Sequence, residues 1–156
     1  MRFVARLRPE LIRITPPWRT FAETVAGLVA ALAEAGELPP GAGPAAVQAI
    51  IAREVEASTA LLEIHAGVPH ARLAGLMQAV VSLAASPDGL YEAVPTVPIQ
   101  IVALVLSPLD PTSTHLDTLA EVATLLRSGE LRARLLAARD GVDGLAALRT
   151  HARAVP

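Results

Sequence analysis

The stretch IQIVALVL at residues 99–106 is apolar on both of its faces apart from Gln100. A run this short is a poor helix, and a run this apolar needs cover on two sides. It predicts a central, fully buried strand with other layers packed above and below it. Shorter apolar runs at 61–65 and 79–85 predict neighbouring strands, and 11–15 predicts another near the start. The rest of the pattern is helical. Thr20-Phe21-Ala22-Glu23 has the form of a capping box, followed by Val25, Leu28, Val29 and Leu32 at helical spacing and by Gly36 where the helix should stop. Pro44 suits the first turn of a second helix, which directs Val47, Ile50, Ile51 and Val55 inward and carries Arg53. After the loop SPLDPT, Ser113 or Thr114 can cap a helix whose core face is Leu116, Leu119, Val122, Ala123 and Leu126. Two more helices follow over 130–138 and 143–151. Helix, helix, strands, helices is the order of an α/β fold: a single mixed β-sheet of about five strands flanked by helices on both sides. The length of 156 residues fits one domain, 1–156.

Composition removes many functions. The chain has no cysteine, so disulfides, thiolate nucleophiles and Cys-ligated metals are excluded. All 13 basic residues are arginine, which removes Schiff-base and P-loop lysines. Aromatics at 3% and a net charge of −2 give neither stacking platforms nor a basic footprint for nucleic acid. Mean hydropathy is high at +0.47. Even so, the longest uncharged stretch, 93–109, is 17 residues and holds three prolines, too short and too broken to span a bilayer. Arginines interrupt the apolar residues at the N-terminus, so no signal-peptide core forms. The expectation is a cytoplasmic protein without membrane insertion.

Charge is segregated along the chain. Residues 1–19 carry +4 and 127–156 carry +3, whereas 20–126 carry −9 and hold only two arginines, Arg53 and Arg72. A solvated helical face accounts for most such patterns. Two isolated guanidiniums in an acidic, apolar segment are nevertheless candidates for anion contact. His70 follows Pro69 after an apolar strand, and His115 opens the helix that follows the central strand. Loops past strand ends are where open α/β sheets bind ligands, and a helix start has unpaired N–H groups. Each residue alone reads more readily as a surface side chain; together His70, His115 and Arg53, with a helix N-terminus, would compose a small pocket for a dianion. A three-His zinc site from His65, His70 and His115 lacks the usual ligand spacing, and a serine hydrolase lacks its Gly-x-Ser-x-Gly elbow.

Three segments carry a family resemblance: Arg53-Glu54 with Ser58-Thr59, then Gly67-Val68-Pro69-His70-Ala71-Arg72, then Asp110-Pro111-Thr112-Ser113-Thr114-His115-Leu116. In order and spacing they resemble the IIA component of the bacterial phosphoenolpyruvate-dependent phosphotransferase system, mannitol/fructose/nitrogen-regulatory class. The resemblance implies a histidine phosphotransferase component needing no cofactor or metal. His70 would accept a phosphoryl group from the HPr phosphocarrier protein and hand it to a IIB component working in trans. His115 matches the second histidine and Arg53 the arginine beside the phosphoryl oxygens. In the nitrogen-type branch, a regulated transporter or kinase becomes a further partner. Leu73, Leu76 and Met77 are candidates for the apolar patch that partners touch. The family's usual Gly-Asn-Gly turn is replaced here by residues 61–67, one residue longer, and an Asp-Gly pair before the central strand by Val94-Pro95-Thr96-Val97-Pro98. These departures support an alternative: a non-catalytic or phosphorylation-sensing regulatory binding module of the same fold.

Overall fold

The structure is a computed structural model that describes residues 2–110 and 115–154. At its centre is strand β8, Ile101–Ser107, with all seven residues buried. Because successive side chains alternate between faces, complete burial means that both sides of the strand are covered. β5, Val80–Ala85, is likewise buried throughout and runs antiparallel to β8, from Val80 opposite Leu106 to Ala85 opposite Ile101. β1, Ile12–Ile14, lies parallel beyond β5. Along the other edge of β8 lie β3, Ala66–Gly67, and then β4, His70–Arg72, both parallel to it. β2, Ala60–Leu61, pairs antiparallel with β3. The six strands thus occupy five positions in a mixed sheet flanked by helices, as the sequence pattern predicts.

The first long helix, α2, covers Phe21–Glu34. Thr20 caps it by accepting from the Glu23 amide at 3.0 Å. The reciprocal bond of the box is displaced by one residue: Glu23 accepts from the Arg19 amide, not from that of Thr20. The helix ends at Gly36, in the left-handed region at φ 75°, as its position suggests. α2 lies on β5, and the Ser82 hydroxyl donates to the Leu28 carbonyl across that contact. α3, Gly43–Glu56, packs against α2 and β4 through Ala46 and Ile50. Val55, expected to face inward, is 82% exposed. It sits about 140° around the helix from Ile50, off the buried stripe. Ile51 is also exposed.

α4, His115–Leu126, buries the expected Val122 and Leu126, but its first turn faces differently: His115 and Thr118 are buried, while Leu116 is 74% exposed. The inward stripe opens with a histidine in place of the expected leucine. The proposed Ser113 or Thr114 cap lies outside the described residues. α5, Gly129–Ala137, and α6, Gly141–Ala154, extend the two C-terminal helices predicted from sequence.

Two strand expectations fail. Residues 61–65 do not form a strand; β2 stops at Leu61, Leu62–Ile64 form a short 3-10 turn, and His65 adopts φ 53°. The run at 99–106 is interrupted at Gln100. β7, Val97–Ile99, pairs with β6, Tyr91–Val94, in a separate hairpin, and the buried strand begins only at Ile101. That hairpin and the N-terminal helix α1, Arg2–Arg6, have no clear sequence signal. Among the described residues, no helix is long and apolar enough to cross a membrane.

Candidate functional site

β4 and the end of β8 set the site. Their parallel register puts His70 beside Val105 and Arg72 beside Ser107. Pro69 begins the pairing, its carbonyl accepting from the Val105 amide at 3.0 Å. The His70 ring then turns back on its own chain, Nδ1 lying 2.8 Å from the Val68 carbonyl. A carbonyl only accepts, so Nδ1 carries the hydrogen; in the neutral ring this leaves the lone pair on Nε2. The Val-Pro-His sequence therefore fixes a tautomer as well as a position.

His115 enters from the other side, at the start of α4. It is buried, with Nδ1 2.6 Å from the Ser107 hydroxyl. The two imidazole rings stand 5.5 Å apart between centroids, tilted by 55°. Burial lowers the His115 pKa below the usual histidine range, and the positive charges of Arg72, His70 and Arg53 lower it further. All four groups thus share one electrostatic neighbourhood, in which His115 is held neutral.

Arg53 comes from the last turn of α3, the helix against β4, and is half-buried. One of its nitrogens donates to the Ala57 carbonyl at 3.1 Å. Beside it, the Glu54 carboxylate accepts from the Thr59 amide at 2.9 Å and the Thr59 hydroxyl at 2.7 Å. This bidentate contact ties the chain leaving α3 back onto the helix end, and so steadies the turn that presents Arg53.

The structure therefore brings His70 and His115 together, and the charge of Arg53 is felt at His115. His65 faces elsewhere, its Nδ1 bonded to the Pro98 carbonyl at 2.8 Å. Among the described residues, no group of three His, Asp or Glu side chains could hold a metal ion. Sequence reasoning missed Ser107 as the partner of His115, because nothing local marks a serine at the end of an apolar strand. It flagged Arg72 as an isolated cation without placing it in the site. Its position two residues after His70 on one strand was the available signal. Leu73, expected in a docking patch, is buried, whereas Met77 is fully exposed.

Two histidines side by side with arginines close to them suit the passage of an anionic group. The family model described as "Phosphoenolpyruvate-dependent sugar phosphotransferase system, EIIA 2" matches residues 6–149. The chain belongs to this IIA family. Membership supports a phosphocarrier role. Among solved structures, the nitrogen regulatory protein IIA-Ntr from Neisseria meningitidis is similar with a TM-score of 0.79 and 20% identity, over 95% of this chain and 99% of that one. IIA mannitol from Escherichia coli gives 0.73 and 20%, over 91% and 98%. The Escherichia coli enzyme IIA of mannitol, in its complex with phosphorylated enzyme IIB, gives 0.72 and 18%, over 92% and 97%. No curated protein sequence matches the chain.

Proposed function

We propose that this protein, as one IIA domain, is a cytoplasmic phosphocarrier that accepts a phosphoryl group on Nε2 of His70 from phospho-HPr and passes it to a IIB partner. The observation that carries the reading is the fixed tautomer of His70 beside His115. With Nδ1 bonded to the Val68 carbonyl, the lone pair available for attack is on Nε2. Attack on the phosphorus of a donor phosphohistidine forms the new N–P bond there. The donor's N–P bond breaks and its electron pair returns to the donor imidazole. No proton needs to move when the donor ring carries a hydrogen on its other nitrogen: the His70 hydrogen stays on Nδ1, and its bond to the Val68 carbonyl offsets the loss of electron density at Nε2.

Phosphoryl transfer has a loose transition state with charge spread over the equatorial oxygens, so positioning and positive charge do most of the catalysis. Arg53 supplies a guanidinium that can contact two oxygens at once. A neutral His115 with Nδ1 accepting from the Ser107 hydroxyl presents its Nε2–H as a further donor. A neutral donor there stabilises the group without trapping it, which suits a carrier that must release its cargo. The complex of a IIA relative with a phosphorylated IIB supports a IIB acceptor for this chain.

Incubation with phosphoenolpyruvate, enzyme I and HPr, followed by intact-mass measurement, tests the reading. One phosphoryl adduct is expected, labile in acid, and absent from His70→Ala. An adduct that survives His70→Ala overturns the assignment of the acceptor. Absence of any adduct, with a partner set that phosphorylates a control IIA, favours the regulatory binding module instead.

A further inference from the structure

We propose that Arg72 is a positioning residue for the transfer: it clasps the chain leaving β8 and so fixes the gap between the two imidazoles. This rests on the phosphocarrier reading for its reaction, though the clasp itself is a feature of the unphosphorylated fold. The two histidines belong to different elements, His70 to β4 and His115 to α4. Their separation is therefore set by whatever joins the end of β8 to β4. His70 and Arg72 are alternate residues of one strand and share a face, with Ala71 buried on the other. Arg72 lies opposite Ser107, whose carbonyl accepts from the Leu73 amide at 2.8 Å and whose hydroxyl holds His115. Beyond Ser107 the Arg72 guanidinium continues the grip. Its Nη1 donates to the Pro108 carbonyl at 3.0 Å and to the Asp110 carbonyl at 3.1 Å. One planar nitrogen with two hydrogens thus spans two carbonyls, of Pro108 and Asp110, just past the end of β8.

Arg72 is exposed, so its replacement leaves the core intact. Its charge also reaches His115, where it is the largest of the charged influences. Two variants separate the clasp from the charge. Arg72→Gln removes both; Arg72→Lys keeps the charge but is a single flexible point donor that does not hold the two carbonyls in one plane.

The first measurement is the pH titration of the imidazole resonances in the unphosphorylated protein. In Arg72→Gln the His115 midpoint should move upward, because a neighbouring cation is lost, and in Arg72→Lys it should return toward that of the parent protein. The second is rapid-quench phosphorylation by phospho-HPr. Misplacing reacting groups by about 1 Å costs on the order of 100-fold, so Arg72→Gln should lower kcat roughly 10- to 100-fold with KM nearly unchanged. Arg72→Lys should recover only part of that loss. A loss confined to KM would make Arg72 a docking residue, and full recovery by lysine would reduce it to a charge; either result overturns the clasp. So does an unaltered His115 titration in Arg72→Gln. Should the parent protein accept no phosphoryl group, the phosphocarrier reading fails, and the clasp is decided by the imidazole chemical shifts of Arg72→Lys: shifts that depart from the parent protein's although the charge is kept support it, and identical shifts overturn it.

Discussion

With Nδ1 of His70 occupied by the Val68 carbonyl, the ring has a single nitrogen left for chemistry, and its partner His115 is disfavoured as a cation first by burial and then by the nearby Arg72 and Arg53 guanidiniums. That second fact has a consequence for stability. A histidine in the unfolded chain titrates near pH 6.5, while His115 in the fold titrates lower. Between the two values the unfolded state binds more protons, so stability rises with pH there. The contribution is complete above about pH 6.5 and is lost as pH falls through the folded value, at no more than about 1.4 kcal/mol per pH unit. Urea unfolding at pH 7.5 and at pH 5.5 should show a larger loss for the parent protein than for His115→Gln. Parallel losses would contradict the neutral, charge-shielded His115. Both histidines were legible in the sequence, His70 from its Pro-His turn and His115 from its place at a helix start. The groups that hold them were not. Ser107 and the two carbonyls bound by Arg72 act across strands, and cross-strand partners leave no local pattern to read.

Among the elements, α2 was the most legible, because fourteen residues of 3.6-residue periodicity with a cap at one end and a glycine at the other leave little ambiguity. The runs at 61–65 and 99–106 were misread for the opposite reason. Short apolar runs carry no period long enough to separate a strand from a turn, or one strand from two that meet at Gln100. Even within α2, one position has a meaning that only packing reveals. A Cβ added at Gly27 would lie 2.0 Å from a ring carbon of Trp18, so the indole rests against the bare backbone of the helix. Glycine in mid-helix normally costs about 1 kcal/mol relative to alanine. Here the packing of the ring offsets that cost. Gly27→Ala should therefore destabilise, by roughly 1–3 kcal/mol as overpacking does, despite its gain in helix propensity. Trp18 is the one tryptophan of the chain, so its emission reports the change directly. A shift to longer wavelength is expected as the ring is driven toward solvent. Unchanged emission and higher stability would show that the indole does not need the glycine.

Across the molecule, the charge segregation of the sequence is partly annealed by folding. Arg8 pairs with Glu37 at 2.8 Å and Arg13 with Glu34 at 3.2 Å, joining the basic N-terminal segment to the acidic middle. These pairs are solvent-exposed and contribute on the order of 0.2–1 kcal/mol each, so they do not hold the fold together. The apolar core does that, and its distribution is uneven. β8 is fully buried and paired along both edges, with all six residues of β5 in register on one side. The strand that carries His70 is three residues long and, among the described residues, pairs in the sheet only with β8. The β6–β7 hairpin stands outside the main sheet, and Val94 and Thr96 at its turn are exposed. Local openings range from near zero cost at exposed segments to the full unfolding free energy in the core. Amides of Val102 through Leu106 should exchange only when the whole molecule unfolds, and their apparent free energies should equal that from urea unfolding. Amides of the hairpin should exchange at least roughly 100-fold faster, through openings that leave β8 intact. Hairpin amides as slow as those of β8 would mean one cooperative unit. A three-residue strand would then owe its order to the entire fold, and a change as distant as Gly27→Ala would loosen the histidine pair along with everything else.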